Sequence, residues 1–567
     1  MVELPRWTLK EQIGQMVVVR ASGYLFDHQR LYPTREASAA KLNHWLQNLN
    51  LGGVILLGGS AAELAVRSQQ LQNWAKTPLL LAADIEEGVG QRFSGATWFP
   101  PPMSLAHIAA DNLNLATDLA YQMGAITASE ALAIGINWVL APVVDVNNNP
   151  DNPVINVRAF GNTPEIVSNL ATAFIEGAKQ YPVLTTAKHF PGHGDTAVDS
   201  HLHLPTIPHS PARLETMELI PFKKAIAAQV DSVMSAHLLI PAWDNIHPAT
   251  LSQPILTGKL RSLLEFKGLI VTDALIMGGV SNFASPGEVA VMAVEAGADI
   301  LLMPENPEVA IEAVYQAVLS GRLTSQRITE SVTRIWQAKE KVNLITPPIS
   351  PNLHPNQTPE SRGKPTPNPS QDGKEHTAQF VLKGGNIDSS FVDQLSLPQS
   401  VTIVETILRK SVVTGGVLPV EPSGGKHLLL VDDVLSCDFL GKHTPGVKFS
   451  QKLDYQVQIV DQNTFAFDLD DSQKTLLSIF IRGNPFRGSA GLSVKTQEKL
   501  KQLLTTGLVT GLLVYGSPYV LDWLRPNLPP HLPWVFSYGQ MPQSQAVTWD
   551  IMFCLSRFPD FQPENFL

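Results

Sequence analysis

Over its first 340 or so residues the chain alternates short apolar runs with longer amphipathic stretches. That rhythm restricts its fold more than any other feature. Strand-length apolar runs fall at residues 16–20, 53–57, 79–84, 137–142, 184–188, 232–237, 269–273 and 299–303. Between them lie helix-length segments such as 61–74, 114–132, 165–180 and 215–228. About eight β/α units of this kind predict an α/β fold, an N-terminal (β/α)8 TIM-type barrel over residues 1–346. A doubly wound open sheet is the alternative. Ile328, Val332, Ile335 and Trp336 recur at helical spacing and mark residues 327–342 as the barrel's last helix.

The rhythm stops at Pro347. From Pro347 to Pro369 eight prolines are mixed with Asn, Ser, Thr and Gln, and the composition predicts an extended linker over residues 347–377. Residues 378–567 regain strand-like runs at 427–431, 475–481, 508–515 and 534–538, with a helix over 495–505, as expected of a smaller C-terminal α/β domain. No dense group of ionisable residues ends those strands, and no glycine-rich phosphate loop occurs there.

Composition narrows the functional classes. A hydrophobic share of 44% against 16% charged residues describes a globular chain with a large core. A formal charge of −10 without a basic cluster argues against nucleic acid as a partner. With only Cys437 and Cys554 present, neither a disulfide framework nor a cysteine-based zinc site is expected. The N-terminus lacks the basic-then-apolar pattern of a signal peptide, and no apolar run reaches the roughly 18–20 residues that span a bilayer. A cytoplasmic protein without a membrane partner is the expectation.

Chemistry concentrates where apolar runs end. Asp84 with Glu86, Asp145, Lys188 with His189, His237 and Asp273 all follow such runs, and in a barrel those positions converge on one rim. A single Asp after a strand is often only a helix cap; a ring of them forms a polar pocket suited to a polyhydroxylated or charged substrate. The densest stretch, K-H-F-P-G-H-G-D-T-A-V-D-S-H-L-H-L-P from Lys188 to Pro205, holds four histidines and two aspartates. Two mechanisms fit it. Metal-assisted hydrolysis would use His189, His193, His201 and His203 with nearby aspartates, although Lys188 beside His189 disfavours a cation. Covalent catalysis by a carboxylate with a separate proton carrier would use Asp273, at the end of G-L-I-V-T-D, with the D-S-H of Asp199 to His201 moving the proton.

The Lys188–Pro205 stretch resembles the signature of glycoside hydrolase family 3 β-N-acetylhexosaminidases of the bacterial cell-wall-recycling type. L-K-E-Q-I-G-Q-M, D-I-E-E-G-V-G-Q-R-F, G-I-N-W-V-L-A-P-V-V-D-V-N-N-N-P-D-N-P-V-I-N-V-R-A-F-G and L-I-V-T-D-A-L-I-M agree in order and spacing, so the likeness covers roughly residues 9–342. It implies a metal-free, cofactor-free exo-enzyme that releases terminal β-linked N-acetylglucosamine with retention, its substrate a small saccharide or a peptidoglycan-derived muropeptide. By the resemblance Asp273 is the nucleophile, His201 the acid/base and Asp199 its dyad partner. Asp84, Arg92, Arg158, Lys188 and His189 would hold the sugar. A phosphorylase or β-glucosidase of the same family, and a non-catalytic sugar-binding protein, are the competing readings. Two departures stand out. Glu87 and Val89 replace a glycine and an arginine of the usual E-G-G-R-V-Q-R, and N-V-R-A-F-G stands where G-D-R-S-F-G is usual. Since D-S-H removes the need for an acid/base from the C-terminal domain, that domain is expected to act in structure or specificity.

Overall fold

The computed structural model of the protein describes residues 4–344 and 389–557, apart from 435–436, 438, 463, 465–472 and 484–489. The proline-rich stretch at 347–377 lies outside the described residues, as do the boundaries drawn at 346 and 378.

Eight parallel strands form one sheet: β1 (Val17–Ser22), β2 (Gly53–Leu57), β3 (Leu80–Ala83), β4 (Trp138–Val139), β5 (Leu184–Phe190), β6 (Ser232–Ser235), β7 (Leu269–Thr272) and β8 (Leu301–Leu302). Their order is β7-β6-β5-β4-β3-β2-β1-β8. The seam between β7 and β8 is closed by Thr272 N–H donating to Ile300 O at 3.0 Å and Leu302 N–H donating to the Thr272 hydroxyl at 2.9 Å. The sheet is therefore a barrel. Its strands are buried on both faces, which is why each reads as a continuous apolar run rather than an alternating one.

Three expectations shift locally, the first being the run at 137–142, of which only Trp138–Val139 is strand. The run at 299–303 yields only a two-residue strand, because fully buried Asp299 is held on the barrel floor by Arg261 and Arg334, at 2.6 and 2.8 Å, and by the Ser331 hydroxyl. The segment 215–228 breaks into Pro211–Thr216 and Leu219–Ala227, with Met217 at non-helical angles between them.

The second sheet has the order β11-β10-β12-β13-β14-β9, from β9 (Val413–Gly415), β10 (Gly425–Val431), β11 (Tyr455–Asp461), β12 (Thr475–Ile481), β13 (Val509–Gly516) and β14 (Trp534–Ser537). All pairings are parallel except that of β9 with β14. The two-residue period of a strand divides its side chains. Leu429, Phe480, Leu513 and Tyr515 pack with Phe449 and Trp549 on one face. On the other, Leu428, Leu430, Ile479 and Val514 pack with Leu500 and Leu521, and in the same cluster lie Met103, Val143, Ile155 and Val157 of the barrel. The domains thus share an apolar core, and the C-terminal domain is seated on the barrel's mouth. Among the described residues no helix is long and apolar enough to cross a membrane.

Candidate active site

The strand ends open into a cavity of about 490 Å³. Asp84, Arg92, Arg158, Lys188, His189, His201 and Asp273 all line it, and Asp199 stands directly behind His201. All eight residues singled out from sequence therefore meet at one place.

At the end of β3 the organising group is Glu86, buried at 3% exposure. Arg158 grips it with two parallel hydrogen bonds, Nε at 2.8 Å and Nη2 at 2.7 Å, and Lys188 Nζ reaches it at 2.6 Å. Burial alone would raise the Glu86 carboxyl, but these two cations hold it well below the usual carboxylate range. Lys188 also donates to Asp84 Oδ1 at 2.8 Å; burial works to lower its ammonium, and the two carboxylates raise it instead. Arg158 Nη1 also donates to Val154 O, so three of its five N–H groups hold the protein while the residue lines the cavity. Arg92 Nε donates to the backbone oxygen of Asp84. Sequence reasoning placed Glu86 on the rim without giving it a role. Its function as the tie between Lys188 and Arg158 depends on three segments meeting in space.

Beneath the end of β5 lies Asp145, fully buried, from the segment that follows β4. It accepts from the backbone N–H of His189 at 3.1 Å and of His193 at 2.7 Å, and from His189 Nδ1 at 2.8 Å. Burial opposes its charge; the imidazoles of His189 and His193 and the donated hydrogen bonds prevail and keep its carboxyl low. With Nδ1 committed to Asp145, His189 has Nε2 left for the cavity that it lines. The bonds Lys188–His189 and Phe190–Pro191 are both cis.

The following loop carries the second set. His201 Nδ1 lies 2.9 Å from Asp199 Oδ1, which also accepts the His201 backbone N–H at 2.8 Å. Asp199 is buried at 3% while His201 is partly open to the cavity it lines, and the Asp199 contact is made through Nδ1. His193 has both ring nitrogens occupied inside the loop, by Thr196 and Ser200 at 2.9 Å each, and burial lowers its imidazole to about 4. It is a neutral strut. His203 is exposed. The histidines of this stretch therefore do not converge on one ion.

Asp273 follows β7. Burial would raise its carboxyl, yet the imidazoles of His237, His189 and His201 and the Ala274 N–H at 2.7 Å bring it down to about 2. His237 lies behind it, fully buried, donating Nε2–H to Ala274 O at 3.0 Å. Burial lowers that imidazole, so His237 serves as a neutral brace for the segment.

The C-terminal domain completes the wall. Contrary to the expectation that its strand ends carry no such groups, Asp432 and Asp433 follow β10, Arg482 follows β12, and all three line the cavity with Phe439 and Phe480. Arg482 Nη2 meets Glu87 Oε1 at 2.8 Å, and Trp98 Nε1 donates to Glu87 Oε2 at 3.0 Å. The glutamate that departs from the usual glycine thus has a partner from the other domain.

Comparisons with known proteins agree with this architecture. Residues 8–338 match the family model described as "Glycosyl hydrolase family 3 N terminal domain", and residues 422–554 match "Bacterial Glycosyl hydrolase family 3 C-terminal domain". The chain is 32% identical over 373 residues to a β-hexosaminidase A of Pseudoalteromonas piscicida, covering 59% of this chain and 61% of that protein. It is 38% identical over 280 residues to a β-hexosaminidase of Tolumonas auensis, covering 49% and 80%. It spans 54% of a β-N-acetylglucosaminidase/β-glucosidase of Cellulomonas fimi, so it covers under two thirds of two of these relatives. A solved structure of a glycoside hydrolase family 3 β-N-acetylglucosaminidase from Paenibacillus sp. str. FPU-7 superposes with a TM-score of 0.74 at 28% identity, covering 96% of this chain and 98% of that one. A β-glucoside phosphorylase, 21% identical, shares the fold with a TM-score of 0.73.

Proposed function

The chain belongs to glycosyl hydrolase family 3, and on that premise we propose that it is a retaining exo-β-N-acetylglucosaminidase. The reading rests on one observation: Asp273, brought down to about 2, lines the same cavity as a histidine whose Nδ1 is anchored to a buried aspartate. Ionised at neutral pH, Asp273 attacks the anomeric carbon while His201 passes its Nε2 proton to the leaving oxygen. Asp199 fixes the tautomer and stabilises the imidazolium before that transfer. Neutral His201 then takes a proton from the water that releases the sugar. Asp84 accepts from the sugar's hydroxyls; Lys188 and Arg158 act through Asp84 and Glu86, holding the pocket's carboxylates in place. His189 contributes a ring nitrogen to the same wall. The biological substrate class in this reading is a terminal N-acetylglucosamine on a peptidoglycan-derived muropeptide in the cytoplasm.

A phosphorylase is the second reading, favoured by the same dyad, because an imidazole repels phosphate less than a carboxylate acid/base would. The test is hydrolysis of an aryl N-acetyl-β-glucosaminide followed by NMR, with and without phosphate. The β-anomer of N-acetylglucosamine should appear first, and Asp273→Ala should lose at least about a thousandfold in kcat. A sugar 1-phosphate as main product would establish phosphorolysis; near wild-type turnover by Asp273→Ala would sink both readings.

A further inference from the structure

Asp273 and His201 belong to different segments, yet a retaining mechanism needs its two catalytic groups at a fixed separation across one glycosidic bond. The segment of Asp273 is firmly seated. Asp273 N–H donates to Ser235 O of β6 at 3.2 Å and Leu275 N–H to Leu302 O of β8 at 2.9 Å, while His237 braces Ala274 O between them. From there the chain runs to the short helix Gly278–Ser281.

This helix meets the arm that bears Asp199 and His201. Gly278 N–H donates to His201 O at 3.1 Å, and Gly279 N–H donates to Ser200 O at 3.1 Å. N–H groups in the first turn of a helix have no partner within it, so these two are available to another segment. Both glycines lie against the arm's backbone. A Cβ on Gly278 would fall 2.6 Å from Leu202 O and 3.0 Å from His201 O. One on Gly279 would fall 3.0 Å from Ser200 O and 3.0 Å from the His237 Cβ. Neither position has a left-handed φ, so it is close approach that calls for glycine here, not backbone conformation.

The arm is thus held from three directions at Ser200 and His201. His193 reaches the Ser200 hydroxyl at 2.9 Å from the root of the loop, and Asp199 accepts the His201 N–H at 2.8 Å. The glycine pair takes both carbonyls from the side of Asp273. With its N–H and its carbonyl engaged, the His201 backbone fixes the base of the imidazole.

We propose that Gly278 and Gly279 are positioning residues, whose paired N–H groups clasp the acid/base arm to the segment of the nucleophile and set the reach of His201 toward the bond that Asp273 attacks. The proposal rests on the retaining-glycosidase reading above and deepens it. A side chain at either glycine pushes the arm outward and leaves Asp273 in place.

Two variants test it. Gly278→Ala should lose at least about a hundredfold in kcat on a nitrophenyl N-acetyl-β-glucosaminide, the cost of displacing a catalytic group by roughly 1 Å. On the dinitrophenyl glycoside, whose leaving group departs with little protonation, the loss should shrink to less than about tenfold. Azide should then speed the variant's turnover of the dinitrophenyl substrate and give the β-glycosyl azide, with wild type unaffected. Azide needs no base to attack the anomeric carbon of the glycosyl-enzyme, breaking its ester bond and freeing the Asp273 carboxylate. Gly279→Ala, with softer contacts, should show the same pattern with a smaller loss, and it carries the test if Gly278→Ala does not fold. Equal losses on the two glycosides without an azide product overturn the proposal, as do wild-type rates in the folded variants. If wild type cleaves neither glycoside, the glycosidase reading has failed instead. Amide hydrogen exchange of residues 197–205 then decides the clasp separately: faster exchange in Gly279→Ala with unchanged barrel strands supports it, and equal exchange refutes it.

Discussion

Arg482 and Glu87 stand 395 positions apart in the chain and meet at 2.8 Å where the C-terminal domain touches the barrel mouth. Glu87 is buried at 1% exposure and is otherwise satisfied by the indole of Trp98. Removing the arginine strands a buried carboxylate, whereas removing both groups does not. Arg482→Ala should therefore destabilise the protein by about 1–3 kcal/mol, and Glu87→Gly with Arg482→Ala by clearly less than the sum of the single changes. Thermal unfolding of the four proteins in the cycle checks this; strictly additive shifts would contradict it.

The proposed mechanism gives Asp199 a share in proton transfer that can be tested. Asp199→Asn should lower kcat on a nitrophenyl N-acetylglucosaminide by roughly 10²–10⁴ with KM little changed. A more acidic dinitrophenyl leaving group needs less protonation and should recover much of the loss. Equal losses on both substrates would show that Asp199 supports the loop and not the proton.

Acid should weaken the fold through the same carboxylates that shape the pocket. Glu86 titrates well below its ordinary value of 4.5, and Asp273 at about 2 against an ordinary 3.8. For a lowered carboxylate, the stabilisation is fully present above the unfolded value and is lost as pH falls toward the folded one. The buried neutral imidazoles of His193 and His237 already withdraw stability as pH falls below about 6.5; below about pH 4.5 these carboxylates add to the loss, so the melting temperature should drop more steeply there, and Glu86→Gln should flatten that steeper part. A wild-type curve as flat as the variant's would refute the linkage.

Chelation should leave activity intact. Glu86 is engaged by Lys188 and Arg158, and Asp84 by Lys188, so a dication would compete with cations already in place. Among the described residues the one cluster with metal-ligand spacing is Asp195, His209 and Glu218. Arg213 stands 3.5 Å from that aspartate and 3.3 Å from that glutamate. Dialysis against EDTA should change kcat/KM by less than about twofold. A loss restored by zinc would contradict this.

Much of this architecture was legible because the relevant signals are local. Barrel strands buried on both faces read as unbroken apolar runs, and the Lys188–Pro205 stretch compresses its histidines and aspartates into eighteen consecutive positions. What escaped was either short or distant. The strand β11, Y-Q-V-Q-I-V-D, is an exposed edge whose alternation is easily taken for a loop. Asp299 looks like a strand residue until Arg261, from the segment before β7, and Arg334, from the barrel's last helix, close over it. The contribution of Asp432, Asp433 and Arg482 depends on how two domains dock, and no spacing in the chain records that.

Asp145 has a consequence for anyone who would transplant this chemistry. Its one carboxylate receives the backbone of both His189 and His193, so the end of β5 and the root of the arm that bears Asp199 and His201 share a single anchor. The arm is therefore not a self-contained cassette. Grafted onto another barrel, residues 188–205 would keep their side chains but lose their aim unless the host offered a buried acid at the end of its own fourth strand.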